Sequence, residues 1–517
     1  MATPVESPRE AKLKSKVIWS FWVVILLLGF PTWWATTSIY RAALPTESML
    51  ASHDDLWYSI PICLESSSIS SRDLADLALR TQVFAEGQDR LFKFVIHSQK
   101  QCSKDHISTI FDLSSGKEED IVYGAQSGKF HMKYPQSNTE HIIEHLGNFL
   151  RDAFLEEHAA IAYQVFTHGK SNDKIQNFIQ SLPQEIVSEV QKSANRAFKP
   201  SSEYHLTFSL FTAGSAPSSW DVRPVLDTYI QPILHALSAT CDISVASQVQ
   251  LYSSFSPVVQ PQQGEDGWRL RKADLTSFVN TAEWPLSPSI GAGPTVNFIA
   301  YVPAKKFIPL LLEDTSIDSW LVPNWGGITI LNPPLQKVEE SQLGLAALPA
   351  HLDREYLDPA FQNFQAQLLQ LLGVPHATKL PIQERLKAFQ RLSGLSLYMR
   401  TSSNLGSLAR LAQHLSSIPI PRHVLTHVEN ALDRLSTFRQ CFDYGSPSNA
   451  WSTCLASAKE AFIHSEKAFF DKSMVGQVYF PDEHKVAVYL PLLGPVGVPL
   501  VVGLIRELKS MAARRKP

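Results

Sequence analysis

Two long apolar runs bracket the chain. Val17 to Ala35, VIWSFWVVILLLGFPTWWA, is 19 residues without a charge. As a helix rising about 1.5 Å per residue, it just crosses a hydrocarbon layer of roughly 30 Å. Lys12, Lys14 and Lys16 precede it, and Trp33 and Trp34 close it. Basic residues on one side and aromatic rings on the other orient a span with its N-terminus in the cytosol. A cleaved signal peptide has a shorter apolar core, roughly 7 to 15 residues, so the run reads as a retained anchor. The second run, Val486 to Ile505, has 20 residues without a charge, and Arg506, Lys509, Arg514, Arg515 and Lys516 follow it. The same rule places this tail in the cytosol, so the chain between the runs is translocated. A C-terminal attachment signal that is cut away ends in its apolar segment, which this tail does not. Pro491, Pro495 and Pro499 share one helical face, thinned nearby by Gly494, Gly497 and Gly503. A soluble core helix tolerates that composition poorly, whereas a membrane helix packed closely on protein uses it.

Between the runs the patterning changes character near Pro334. Residues 41–70, broken by Pro45 and Pro61, read as a polar connection. A helix begins at Ser71, and Leu91–His97, Ile121–Tyr123 and Lys129–Tyr134 read as strands. Asn138 to Phe166 has one apolar stripe, Ile142, Leu146, Phe149, Leu150 and Phe154, and predicts one helix that ends before the polar stretch Pro183–Pro200. Tyr204–Phe211, Ile243–Tyr252 and Asn297–Val302 are strands, Val222–Leu237 is a helix interrupted at Pro232, and Trp320–Ile330 is strand, turn and strand. A mixed α/β sheet, antiparallel in part, follows from that order. Beyond Pro334 the spacing is helical at 358–372, 381–398, 403–416, 421–438 and 454–470. The predicted organisation is a tail (1–16), a span (17–35), a mixed α/β region (41–334), a helical membrane-proximal region (335–485), a second span (486–505) and a basic tail (506–517).

Composition narrows the function classes. The net charge of −3 is nearly neutral and the basic residues concentrate in the tails, which disfavours a nucleic-acid partner. Five cysteines form no CxxC pair, so no structural zinc or redox motif is indicated. Cys441 and Cys454 flank a Gly/Pro/Ser/Asn-rich loop and are the best local disulfide candidates, against two separate buried thiols; the odd count leaves one cysteine over. His141-Ile142-Ile143-Glu144-His145 has the H-x-x-E-H order of inverted zinc proteases. No third ligand is identifiable, and both histidines flank the polar side of their helix, so solvent exposure explains them more simply. No metal or cofactor is therefore expected, and no G-x-S-x-G elbow occurs.

Several blocks together carry a resemblance: PTWWATTSIYRAALP from Pro31, EYHLTFSLF from Glu203, SSWDVRPVLDTYIQPIL from Ser218, TAEWPL from Thr281, VNFIAYVP from Val296, VPNWGGITILNPP from Val322, and AFFDKSMVGQVYFPDEHKVAVYLPLLGPVGVPLV from Ala468. In these the chain resembles the PIG-S family of subunits of the glycosylphosphatidylinositol (GPI) transamidase, an endoplasmic-reticulum membrane complex. The resemblance implies a non-catalytic, multi-pass subunit with both termini cytosolic and a large lumenal body. It implies partners among the other membrane subunits, including a cysteine-protease-like catalytic one, with the GPI lipid and the precursor protein as further contacts. Candidate partner contacts are Trp284, Trp320 and Trp325, which serve equally as core residues around turns, and the Pro491, Pro495, Pro499, Gly494, Gly497 face of the last helix. The competing classes are a self-sufficient anchored hydrolase built on His141, Glu144 and His145, and a lumenal adhesion or chaperone-like module.

Overall fold

The structure is a computed structural model that describes residues 8–37, 40–51, 59–86, 93–102, 108–116, 120–135, 139–167, 173–278, 293–313, 318–337, 346–376, 379–415, 418–444, 451–475 and 482–514. The chain divides into a terminal unit, Met1–Ser52 with Asn404–Asn430 and His464–Pro517, and a body, His53–Ser403 with Ala431–Ile463.

The terminal unit begins with helix α1 (Pro8–Val24), which passes through one π-turn at Ile25–Gly29 into α2 (Phe30–Thr37). Within it, Leu13–Ala35 is long and apolar enough to cross a membrane, and none of that stretch is buried. After it, Tyr40 to Ala42 lies against the segment at Ile420: Ala42 N–H donates to Ile420 O at 2.9 Å, and Arg41 donates to Ala412 O at 2.6 Å.

Among the described residues the body holds two five-stranded sheets, beside smaller ones of two and three strands. The first has the order β2-β1-β3-β5-β4, from β1 (Ser59–Glu65), β2 (Lys93–Gln99), β3 (Thr109–Ser115), β4 (Asp120–Gly124) and β5 (Lys129–Tyr134). All pairings are parallel except β4 on β5. Strand β1 corrects the expectation of a polar connection over 41–70: every one of its residues is buried. Pro61 hides it, because a proline argues against an internal strand. Pro61 pairs with Val95 of β2, and strand β3 begins only opposite Ile62, so the proline precedes the part of β1 that is paired on both sides. Helix α3 (Ser71–Glu86) makes the crossover from β1 to β2 and packs on α4 (Thr139–Ala153). The single helix expected over 138–166 is two, α4 and α5 (Leu155–Thr167), and the stretch after Pro183 forms α6 (Gln184–Arg196), whose first turn follows the proline.

The second sheet runs β9-β10-β8-β6-β7, from β6 (Glu203–Thr212), β7 (Asp242–Gln250), β8 (Thr295–Val302), β9 (Ser319–Val322) and β10 (Gly326–Ile330). It is mixed, as expected, with only β9 antiparallel. The β9–β10 turn closes tightly: Asn324 has φ of 54°, and a Cβ on Gly326 would stand 1.8 Å from Asn297 O, so this position accepts only glycine. One face of the sheet is roofed by α7 (Arg354–Leu372), where Phe208, Phe298, Phe361 and Phe364 stack with ring centroids 5.1 to 6.1 Å apart. The other face carries a second cluster around Phe211, Phe278, Ile299 and Tyr301.

Helix α7 starts at Arg354 rather than 358, so Pro359 lies inside it and forfeits the bond to the Glu355 carbonyl. It ends at Gly373, φ 80°, as a left-handed cap requires. The two helices expected at 381–398 and 403–416 are one, α8 (Ile382–His414). Between the two ranges, Thr401 and Ser402 are both buried, and Thr401 Oγ1 donates back to Leu397 O at 2.7 Å. Helices α9 (Arg422–Tyr444) and α10 (Trp451–Phe469) follow, and α11 (Asp482–Arg514) ends the chain. Among the described residues, Leu13–Ala35 is the one stretch that meets the length and composition needed for a span, where the sequence suggested two. In α11, Pro491, Pro495, Pro499 and the glycines dilute the apolar run, and the side chains of Tyr489, Leu492, Leu493 and Val496 lie outside the described residues.

Candidate functional sites

The terminal helices expose what a soluble fold would hide. On the first, Leu26, Leu27 and Leu28 are 60%, 71% and 62% exposed; on α11, Val488, Leu490, Val498, Val501, Val502 and Ile505 are exposed. Helices α1 and α11 touch: a Cβ on Gly503 would sit 4.0 Å from Ile18 Cδ1. Ile18 opens the first apolar run and Gly503 nearly closes the second, so the contact pairs the two basic ends. Higher on α11, a Cβ added at Gly494 or Gly497 meets nothing within 4 Å, and Pro491, Pro495 and Pro499 are exposed. Among the described residues, nothing packs on Gly494 or Gly497, the positions expected to receive another helix.

The tryptophans behave differently. Trp320 and Trp325 are half-buried and pack on the second core cluster, with Trp320 edge-on to Phe278 at 5.1 Å. Each ring thus packs on the core with one part and keeps another part exposed. Trp284 lies outside the described residues.

The H-x-x-E-H motif sits on α4 as its polarity demands. Ile142, Ile143, Leu146 and Leu150 face inward, His141 and Glu144 are exposed, and His145 is half-buried. Among the described residues, the group of three ligand-type side chains close enough for a metal is a different one, Asp221, His351 and Asp353. His351 Nε2 lies 3.1 Å from Asp221 and 3.8 Å from Asp353, while Ser219 Oγ is 2.8 Å from Nδ1. This cluster ties the short parallel strands Ser219–Trp220 and His351–Leu352 together at the surface, and hydrogen bonding within it accounts for the geometry.

A second Ser-His-Asp chain, Ser127–His131–Asp112, has spacings of 2.9 and 3.2 Å. Its order matches an activated nucleophile, but Ser127 Oγ is also 3.0 Å from Gly124 O, inside the β4–β5 turn. A Cβ on Gly124 would lie 2.4 Å from that oxygen and 2.9 Å from His131 Nε2. The hydroxyl is packed into its own hairpin, where it locks the turn.

Cysteine usage shows one pairing that spacing alone did not suggest. Cys63 and Cys102 form a disulfide that fastens the end of β1, and Cys102 N–H donates to Glu65 at 2.8 Å. Cys454 is also disulfide-bonded, whereas the side chain of its expected partner, Cys441, lies outside the described residues. Cys241 is free and buried, and that burial pushes its thiol up to about 11. Such a thiol stays protonated at neutral pH and is a poor nucleophile.

The body also contains a groove of about 750 Å³ along α5, α6, the end of α7 and α8. Glu156 lies in it, held above the usual carboxylate range by burial, with His376 and Arg385 opposing that shift. Arg385 donates to Pro375 O at 2.7 Å, Arg400 donates to Pro200 O, and Arg196 pairs with Glu189 at 3.8 Å. These cations are engaged with the groove's own walls. Neither this groove nor the Ser-His-Asp chains were visible in sequence, since each joins residues from separate elements.

Comparison with known proteins gives a consistent answer. A sequence model of the phosphatidylinositol-glycan biosynthesis class S family matches residues 20–514. A Schizosaccharomyces pombe relative named GPI transamidase component PIG-S homolog is 26% identical over 520 residues, covering 98% of this chain and 86% of that protein. The Homo sapiens GPI-anchor transamidase component PIGS is 26% identical over 553 residues, covering 96% and 95%. The Saccharomyces cerevisiae GPI transamidase component GPI17 is 25% identical over 541 residues, covering 98% and 94%. The similarity runs through both terminal helices and both sheets of the body, and on that evidence the chain belongs to the PIG-S family.

Proposed function

We propose that this protein is a non-catalytic subunit of the GPI transamidase complex, which attaches GPI anchors to precursor proteins in the endoplasmic reticulum membrane. The carrying observation is a family match over nearly the whole chain, terminal helices included, with relatives named as components of that enzyme. The protein is held by two spans, α1–α2 and the apolar part of α11. Both tails are cytosolic and the body is lumenal. The contact between Ile18 and Gly503 supports this arrangement, because two spans of opposite direction bring their basic ends together.

The catalytic residues lie in another chain. The buried Cys241 thiol and the hairpin-locked Ser127 support this, since each is occupied by the fold. The open face of Gly494, Gly497 and the three prolines is where another membrane subunit docks, while Trp320 and Trp325 serve the core. The test is purification in mild detergent, identification of co-purifying chains, and a GPI-precursor processing assay. The expected result is that the assembled preparation processes the precursor while this chain alone does not. Processing by the isolated chain contradicts the assignment.

A further inference from the structure

Among the described residues, strand β7, Asp242–Gln250, is an edge strand of the second sheet, with Lys459 paired to Asp242 at its start. It pairs with β6 in unbroken parallel register along all nine residues, from Glu203↔Asp242 to Phe211↔Gln250. Proteins blunt such edges by shortening them, by a bulge, by a proline, or by a charge pointing along the edge. From Ile243 to Gln250 the sequence ISVASQVQ contains no proline, glycine or charge. The register shows no bulge, Val245 and Val249 are 40% and 39% exposed, and Ser244, Ala246 and Ser247 are exposed as well.

The pairing fixes which backbone groups are available. Asp242 N–H donates to Ser202 O at 2.8 Å, so Asp242 and alternate residues after it turn their N–H and C=O toward β6. Ile243, Val245, Ser247 and Val249 turn theirs outward, where no strand of the described residues follows. The side chains of these same residues lie on the face shared with Leu206, Phe208 and Leu210, and Ile243 packs on that core cluster. An added strand would satisfy the outward donors and acceptors and continue an apolar layer at alternate positions.

We propose that β7 is a docking edge that takes an extended, uncharged segment of another subunit as a sixth strand of this sheet. The backbone row selects a strand, and the neutral edge with Val245 and Val249 selects apolar residues at alternate positions. One added strand of this length falls at or below the roughly 1,200 Å² that a stable two-chain interface buries. The edge therefore suits a partner held close by other contacts, as in a membrane complex, better than a second free copy of the chain. This inference rests on the assignment to the transamidase complex.

The test compares amide hydrogen exchange, at single-residue resolution, in the detergent-purified full chain and in the assembled complex. In the isolated chain, Ser244, Ala246 and Gln248 are protected, whereas Val245, Ser247 and Val249 exchange freely. In the complex, the second set gains protection of roughly tenfold or more. Val245→Lys with Val249→Lys places charges on the exposed edge without touching the β6 ladder. It should abolish the gain and lower recovery of the partner that covers the edge, with the thermal unfolding of the isolated chain unchanged. Ser247→Pro removes an outward N–H, while restricting the backbone around Ala246, and should act in the same direction. Free exchange of Val245, Ser247 and Val249 in an intact, active complex overturns this inference and leaves the functional assignment standing. Concentration-dependent protection in the isolated chain shows a second copy on the edge and also overturns it. A chain that co-purifies with no transamidase component removes both.

Discussion

Helix α7 of the body and the helix running through Leu13–Ala35 are built from similar residues and meet different surroundings. Helix α7 buries Leu357, Phe361, Phe364, Leu368, Leu371 and Leu372 against the second sheet. The N-terminal helix buries none of its span and offers Leu26, Leu27 and Leu28 outward. The contrast separates apolar surface that the protein covers from apolar surface that it leaves open. Side chains that leave water for the protein interior report on folding, whereas side chains that leave water for lipid report on location. A substitution therefore has opposite readouts in the two helices, and that is how the contrast can be broken.

The largest expected effect is in the body. Phe361→Ala removes a ring that stacks on Phe208 and meets Phe364 edge-on, and should destabilise the body by about 3–5 kcal/mol in thermal or denaturant unfolding. Leu27→Ala should leave the same unfolding curve unchanged within about 0.5 kcal/mol, since Leu27 makes no core contact to lose. Equal losses would place the N-terminal helix inside a protein core.

The next effect is on pH dependence and belongs to the body alone. His158 is buried beside the Glu157–Arg391 ion pair, and burial pushes its pKa from 6.5 down to about 4. The unfolded chain binds this proton below 6.5 and the folded chain does not until about 4, so the stability is present above 6.5 and is lost as pH falls across that window. The loss amounts to about 3 kcal/mol at full extent. His158→Gln should flatten that part of the stability profile, measured by unfolding between pH 7 and 4. An unchanged slope would mean that His158 reaches water in the folded state.

How much of this was legible beforehand follows the same division. Of the two apolar runs, Leu13–Ala35 meets the length and composition of a span among the described residues, whereas the prolines and glycines of the second dilute its apolar character. The second sheet was largely legible too, since β6, β7, β8 and the β9–β10 hairpin alternate or are rich in β-branched residues. Strand β1 was not, because Pro61 and Cys63 interrupt the usual strand composition and only tertiary pairing reveals why they are tolerated. Helix α8 reads as two segments from spacing, 381–398 and 403–416, whereas burial of Thr401 and Ser402 and back-bonding of Thr401 carry the helix through. The Cys63–Cys102 disulfide, the groove beside Glu156 and the open edge of β7 depend on contacts between distant segments, which local spacing does not encode.

A smaller effect probes the membrane side of the comparison. Gly494→Leu with Gly497→Leu fills positions where the described residues place nothing within 4 Å. Insertion should persist because leucine favours lipid, and the thermal stability of the body should not move. Recovery of the partner membrane subunits in mild detergent should fall several-fold, because the backbones can no longer approach. Leu492→Ala with Leu493→Ala serves as the control for altered bulk elsewhere on the helix. Full recovery of partners with the glycine pair replaced would show that this face is not an assembly surface.

The claim on which the account rests is that both terminal helices span the membrane and leave the body in the lumen. Protease treatment of sealed microsomes tests it most directly, using the full chain with a tag at each terminus and an epitope in the body near residue 260. The account predicts that both terminal tags are removed while the body epitope survives until detergent is added. A protected C-terminal tag, or a body epitope cut in intact vesicles, would contradict it.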